Sequence, residues 1–165
     1  MDLTDRLLEH DAWTTQLLLA RCRDLTDEQL DRDFDIGHRT VRATLVHVIR
    51  NVEVWSDLMA GGAVRDDPGR DGQSVSALTA RLNSAAADLA KVTRAVAERA
   101  GWDDEWVDPL DSPPTRKTYG GAIAHVLTHS MHHRAQLLYI LRRLGVKGLP
   151  EGDVLSWEQH VRTAR

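Results

Sequence analysis

Apolar residues recur at helical spacing through four long stretches of this 165-residue chain, and the polar, Gly- and Pro-bearing stretches between them mark its joints. Leu3, Leu7, Leu8, Trp13, Leu17, Leu18 and Cys22 trace a broad stripe that predicts a first helix over Leu3 to Arg23, capped by Asp2 or Thr4. Asp24 to Leu30 reads as a short capped turn, because Thr26 precedes Gln29 by three residues in the manner of a capping box. Phe34 to Thr40 is a loop around Gly37. A second helix opens near Thr40, carries Val41, Leu45, Val46, Val48, Ile49, Val52, Trp55, Leu58 and Met59, and stops at Gly61-Gly62. Ala63 to Gln73, rich in Gly, Asp and Arg, reads as a solvated loop.

Ser74 or Ser76 begins a third helix reaching Ala100, with Gly101 as its stop; its abundance of Ala predicts close packing or an edge position. Trp102 to Tyr119 holds three prolines and predicts an irregular loop with room for a short hairpin. The fourth long helix runs from Ala122 to Leu144 and is closed by Gly145, and the tail from Lys147 to Arg165 holds a helical turn around Trp157. Four long amphipathic segments with little strand signal predict an all-α protein, an antiparallel four-helix bundle forming a single domain over residues 1–165.

Composition narrows the function more than the fold. Apolar residues make up 42% and charged residues 28%, the balance of an ordinary globular domain. A net charge of -4 offers no basic face for nucleic acid. The single cysteine, Cys22, excludes an intrachain disulfide and fits a reducing cytoplasm, where it reads as a small buried hydrophobe. The start Met1-Asp2-Leu3-Thr4-Asp5-Arg6 lacks a basic-then-apolar leader, and no run of about 18 apolar residues predicts a membrane span. The expectation is a cytoplasmic protein with neither a membrane nor a nucleic-acid partner.

The chemistry concentrates in His125-Val-Leu-Thr-His129-Ser-Met-His132-His133-Arg134-Ala-Gln136, where four of the eight histidines fall within nine residues. Histidines one helical turn apart share a face, and imidazole is the commonest protein ligand for zinc-like metals. A two-histidine helix needs another donor, and bundles draw such donors from facing helices. His47 is the obvious supplier, because it stands among Leu45, Val46, Val48 and Ile49, where an unpartnered imidazole is costly. Spacing alone leaves the His125–His129 and His129–His133 pairs both open. Three neutral donors leave coordination positions free, which is the catalytic kind of site. The segment is not H-E-x-x-H, since Ser130 follows His129, so no glutamate stands between the ligands as a base.

These features resemble the DinB/YfiT-like family of metal-dependent enzymes. The resemblance rests on His10-Asp-Ala-Trp13, on Leu45-Val-His47 followed by Glu53-Val-Trp55, and on Thr128-His129-Ser-Met-His132-His133-Arg134-Ala-Gln136. It continues through Leu144-Gly145-Val146 and Leu149-Pro150-Glu151-Gly-Asp153, so it covers nearly the whole chain. It implies a DinB-like four-helix bundle, often dimeric, with a divalent metal, zinc or nickel, bound by His47, His129 and His133. It also demotes His125 to the pocket wall and His132 to an outward or interhelical role.

The remaining neighbours each carry an expectation. Gln136 shares the face of His129 and is placed to meet a metal-bound water, to orient a ligand, or to make a plain interhelical hydrogen bond. Arg134 points off the ligand stripe and reads as a structural ion pair; Glu53, rotated from His47, reads as solvated or interfacial. His10 and Trp13 are candidates for the pocket mouth, with Trp13 more at home in the core. Specificity is expected to rest on the loops at Ala63 to Gln73 and Trp102 to Tyr119.

The function implied by the resemblance is activation of a low-molecular-weight thiol, such as bacillithiol or mycothiol, for transfer to an electrophile. Thiol-dependent isomerisation is a variant on the same site. Metal-assisted hydrolysis and a non-catalytic metal-binding stress-response module are the alternatives.

Overall fold

Side-chain caps decide where the helices begin. In the computed structural model, which describes residues 1–164, the Asp5 amide donates to Asp2 at 2.8 Å and opens α1 (Leu3–Arg21). The capping box predicted from Thr26 and Gln29 is present and starts the four-residue α2 (Asp27–Leu30). Thr40 accepts from the Ala43 amide at 3.0 Å to open α3 (Val41–Met59), and Ser74 accepts from Ala77 at 3.1 Å to open α4 (Val75–Glu98). Strands β1 (Glu105–Asp108) and β2 (Thr115–Thr118) form an antiparallel hairpin in which Trp106 opposes Lys117 and Asp108 opposes Thr115. They lead into α5 (Tyr119–Arg143), and α6 (Val154–Thr163) ends the described chain, capped by Asp153.

The boundaries differ from the sequence pattern where local chemistry overrides it. α5 starts three residues before the expected Ala122, because Thr118 caps it by accepting from the Gly121 amide at 3.1 Å. Gly120 and Gly121 therefore belong to its first turn. The Gly120 amide donates to the Trp102 carbonyl at 2.8 Å, and a Cβ there would stand 3.0 Å from that oxygen. Close backbone approach, not helix breaking, explains Gly120. At the end of α4 the left-handed residue is Ala100 (φ +53°) instead of the expected Gly101. The expected turn around Trp157 is a full ten-residue helix, whose Trp157 is buried.

The four long helices pack around one interior, with α3 against α4 and α5, and α1 against the same two. α6 lies on α1, fastened by a 2.9 Å hydrogen bond from His10 to the Gly152 carbonyl and by Trp13 stacked on His160 at 5.3 Å. Apolar side chains form two clusters. One gathers Leu18, Leu45, Ile49, Leu82 and Leu141; the other gathers Leu8, Val52, Leu89, Ile123 and Val126. Between them the helices carry buried polar residues: His10, Asp11, Thr14 and Thr15 on α1, and Ser130 and Arg134 on α5.

Two ion pairs hold this polar waist. The expectation that Arg134 makes a structural ion pair is met: its guanidinium donates to the Asp11 carboxylate and, at 3.3 Å, to the Thr15 hydroxyl. Burial raises the Asp11 pKa despite the guanidinium beside it. For the Asp11 carboxylate, burial outweighs the attraction of the guanidinium. The expectation of a solvated or interfacial Glu53 is overturned. It is buried, and Arg81 donates to both of its oxygens at 2.8 Å, because α4 brings a guanidinium onto that side of α3.

Removing one partner of the Asp11–Arg134 pair should strand a buried charge. We expect Asp11→Ala to lower unfolding free energy by about 3–5 kcal/mol, while the double variant Asp11→Leu with Arg134→Met stays near the parent. Urea unfolding midpoints compare them directly.

Candidate metal centre

Residues four apart on α3 (His47, Asn51 and Trp55) form one stripe, and His125, His129 and His133 form another on α5. The two stripes meet in opposite order. The His47 ring lies 4.8 Å from that of His129 and 4.5 Å from that of His133, centroid to centroid, and Trp55 lies 5.0 Å from His125. His129 and His133 are themselves 4.4 Å apart. The Nε2 atoms of His47 and His129 approach to 2.9 Å.

A fourth imidazole joins from outside the helices. His38, in the loop before α3, packs against His47 with centroids 3.7 Å apart and lies 5.0 Å from His133. His38, His47 and His133 each present a ring nitrogen within 4.8 Å of the others. His38 is not legible as a site residue in the sequence, because a loop residue has no periodicity to align it with a helix face. Its nearness to the N-terminal end of the helix carrying His47 was the one available signal.

The donors suit a divalent cation. Burial, reinforced by neighbouring imidazoles, lowers the pKa of both His47 and His129 to about 4, so both are neutral bases at neutral pH. Desolvation, with His133 nearby, also lowers that of His38. The Nδ1–H of His133 donates to Gln136 Oε1 at 2.9 Å, which fixes the tautomer and leaves Nε2 with its lone pair. Gln136 then donates through Nε2 to His132 at 2.9 Å. Of the roles open to Gln136, orientation of a histidine is the one its contacts support. His129 Nδ1 and Asn51 Oδ1 are buried without a hydrogen-bond partner among the described residues.

The other expected residues fall around this cluster. His125 is exposed and packs against His129 at 5.3 Å and against Trp55. With Trp55, Lys117, Thr118, Gly121 and Ala122 it lines a cavity of about 500 Å³. The ammonium of Lys117 sits 5.2 Å from the Trp55 ring centre and is held by Asp108 and Asp111. So the 102–119 segment does reach the pocket, through its second strand. The Ala63 to Gln73 loop does not line it. There Arg65 pairs with Asp57 and Asp88, and Arg50 donates to the Arg65 carbonyl at 2.7 Å. His10 lines a different cleft, between α1, α5 and the segment before α6. Trp13 is half-buried, against His160 and away from the histidine cluster. Cys22 is buried, and burial pushes its thiol up to about 12.

Comparison with known proteins agrees with this picture at the level of family. The chain matches the model of the DinB family over residues 1–159. No curated protein matches it. Among the described residues no helix is long and apolar enough to cross a membrane.

The depressed basicity has a measurable consequence in metal-free protein. Unfolded histidine takes up a proton near pH 6.5 and folded His47 and His129 only near 4, so between these values the unfolded state binds more protons. Stability from these two groups is therefore complete above about pH 6.5 and is lost as pH falls toward about 4. Unfolding of metal-free protein across that range should show the loss, and His47→Asn should flatten it. Imidazole NMR signals of these residues that titrate near the ordinary value would contradict the expectation.

Proposed function

The chain belongs to the DinB family, and on that footing we propose that it is a divalent-metal-dependent enzyme that activates a low-molecular-weight thiol for transfer to an electrophile. His47, His129 and His133 hold the metal, zinc or nickel, within an antiparallel four-helix bundle. The observation that carries this reading is the convergence of imidazoles from α3 and α5, with two Nε2 atoms 2.9 Å apart. A divalent cation bound there supplies the charge that keeps a coordinated thiol as its thiolate, the nucleophilic form, at neutral pH.

The surrounding residues favour thiol transfer over hydrolysis. Hydrolysis calls for a base near the attacking water. The buried carboxylates are engaged elsewhere: Asp11 with Arg134, Glu53 with Arg81, and Asp108 with Lys117. A thiol would need no such base beside a bound divalent cation, whose charge would lower its pKa. The cavity beside His125 then has room for the electrophile, with the Trp55 ring as its wall and Lys117 at its rim. A reducing cytoplasm, where such thiols stay reduced, fits a chain whose single cysteine is buried. For the homodimer, the exposed apolar side chains Leu3, Leu7 and Met131 supply contact area.

Purified protein should carry about one divalent ion per chain, lost in His129→Ala; a full complement in that variant would sink the three-histidine assignment. Metal-loaded protein should consume bacillithiol, mycothiol or glutathione when offered a model electrophile. If none is consumed while metal removal sharply lowers the melting temperature, the site is a structural staple. Gln136→Ala, which frees the His133 ring, should weaken metal affinity by about 10–100-fold and leave the helical content unchanged. Chelator competition and circular dichroism measure the two.

A further inference from the structure

The loop carrying His38 is built more firmly than a connection needs to be. Phe34 N donates to Arg39 O, Arg39 N to Ile36 O, and Thr40 N to His38 O, each at 2.8 Å, so the segment closes on itself. Phe34 and Ile36 pack on the first apolar cluster, and Arg39 clamps Asp33 through Nε at 3.1 Å and Nη2 at 2.8 Å. The residues on both sides of His38 take left-handed conformations, Gly37 at φ +50° and Arg39 at φ +70°. Glycine adopts that conformation freely; arginine does so at a cost. Such cost tends to persist where the surroundings force a residue into a working position. A Cβ on Gly37 would lie 2.1 Å from Gln136 Oε1, so the loop rests directly on the residue that orients His133.

The outcome of this construction is the position of one ring. Two nitrogens bound to the same zinc-like ion at about 2.0–2.1 Å stand at most about 4.2 Å apart. The ring nitrogens of His38, His47 and His133 already fall within 4.8 Å of one another, close to that limit, while His129 meets His47 at 2.9 Å. We propose that His38 is a fourth protein ligand of the metal centre, completing the shell begun by His47, His129 and His133 when substrate is absent. This rests on the metal-centre reading above. It would make the resting site closed, unlike an open three-histidine site, so an incoming ligand would displace one donor or enter as a fifth. His38 is the donor to leave, because the other three are anchored on the long helices α3 and α5.

Cobalt substitution tests this, because the visible bands of Co²⁺ report its coordination. The parent, His38→Ala, His38→Asn and His47→Ala are titrated with Co²⁺ against a competing chelator. Loss of a direct ligand should cost at least the about 10–100-fold typical of losing an orienting partner. Both His38 variants should thus bind Co²⁺ at least tenfold more weakly than the parent, with shifted bands. Added imidazole should restore the parental spectrum in His38→Ala and leave the parent unchanged. Parental affinity and bands in both His38 variants would overturn the proposal. If His47→Ala binds Co²⁺ as the parent does, the metal centre itself is misassigned, a failure distinct from that of His38 alone.

Discussion

Two imidazole nitrogens 2.9 Å apart cannot both present lone pairs to each other, and His47 Nε2 and His129 Nε2 meet at that distance inside a half-buried cleft. Something electropositive must answer both: a proton shared as a hydrogen bond on the line between them, or a metal ion set off that line and bound by both. Both rings have pKa values near 4, so a second proton enters only in acid. At neutral pH the pair is an electron-rich spot, short of positive charge and facing two further imidazoles. Such a spot is suited to a divalent cation.

The waist has a cost that the rest of the fold must bear. It splits the apolar interior into two clusters, and it buries Asp11, Arg134, Glu53 and several hydroxyls where hydrocarbon would otherwise pack. Each buried charge is matched on a neighbouring helix: Asp11 of α1 by Arg134 of α5, and Glu53 of α3 by Arg81 of α4. These pairs add little net stability, but an uncompensated charge at the same depth would be ruinous. They also fix register. Arg134 follows His133 directly, so anchoring it to α1 settles the rotation of α5 and turns the histidine stripe toward α3. The ion pair and the donor set are thus one design read on two faces of a helix.

Most of the scaffold was legible because it rests on local rules. The caps at Asp2, Thr26, Thr40 and Ser74 sit where hydroxyl or carboxylate residues precede apolar periodicity. The stripe from His125 through His133 obeys the same spacing, and His47 stood out as a polar residue in an apolar run. What stayed hidden depends on distance along the chain. Glu53 looked solvated because its partner, Arg81, lies 28 residues away on another helix. His38 looked like loop because its position comes from two left-handed residues and the contact of Gly37 with Gln136, none of which leaves a period. At the end of α4 the left-handed residue is Ala100, where propensity alone would choose the neighbouring glycine.

Gln136 ties these threads together. Its oxygen holds the Nδ1–H of His133, its nitrogen holds His132, and the backbone of Gly37 rests against it. One amide therefore sets the tautomer of His133 and supports the loop that carries His38. A side chain with a single kind of polar atom would do only half of this: ionised glutamate offers acceptors alone and lysine donors alone. Only an amide of this reach presents an acceptor to one ring and a donor to the next. The histidine ladder on α5 is thereby divided by chemistry. His133 is turned inward with Nε2 free, and His132, though adjacent in sequence, spends its own Nε2 as an acceptor at the surface.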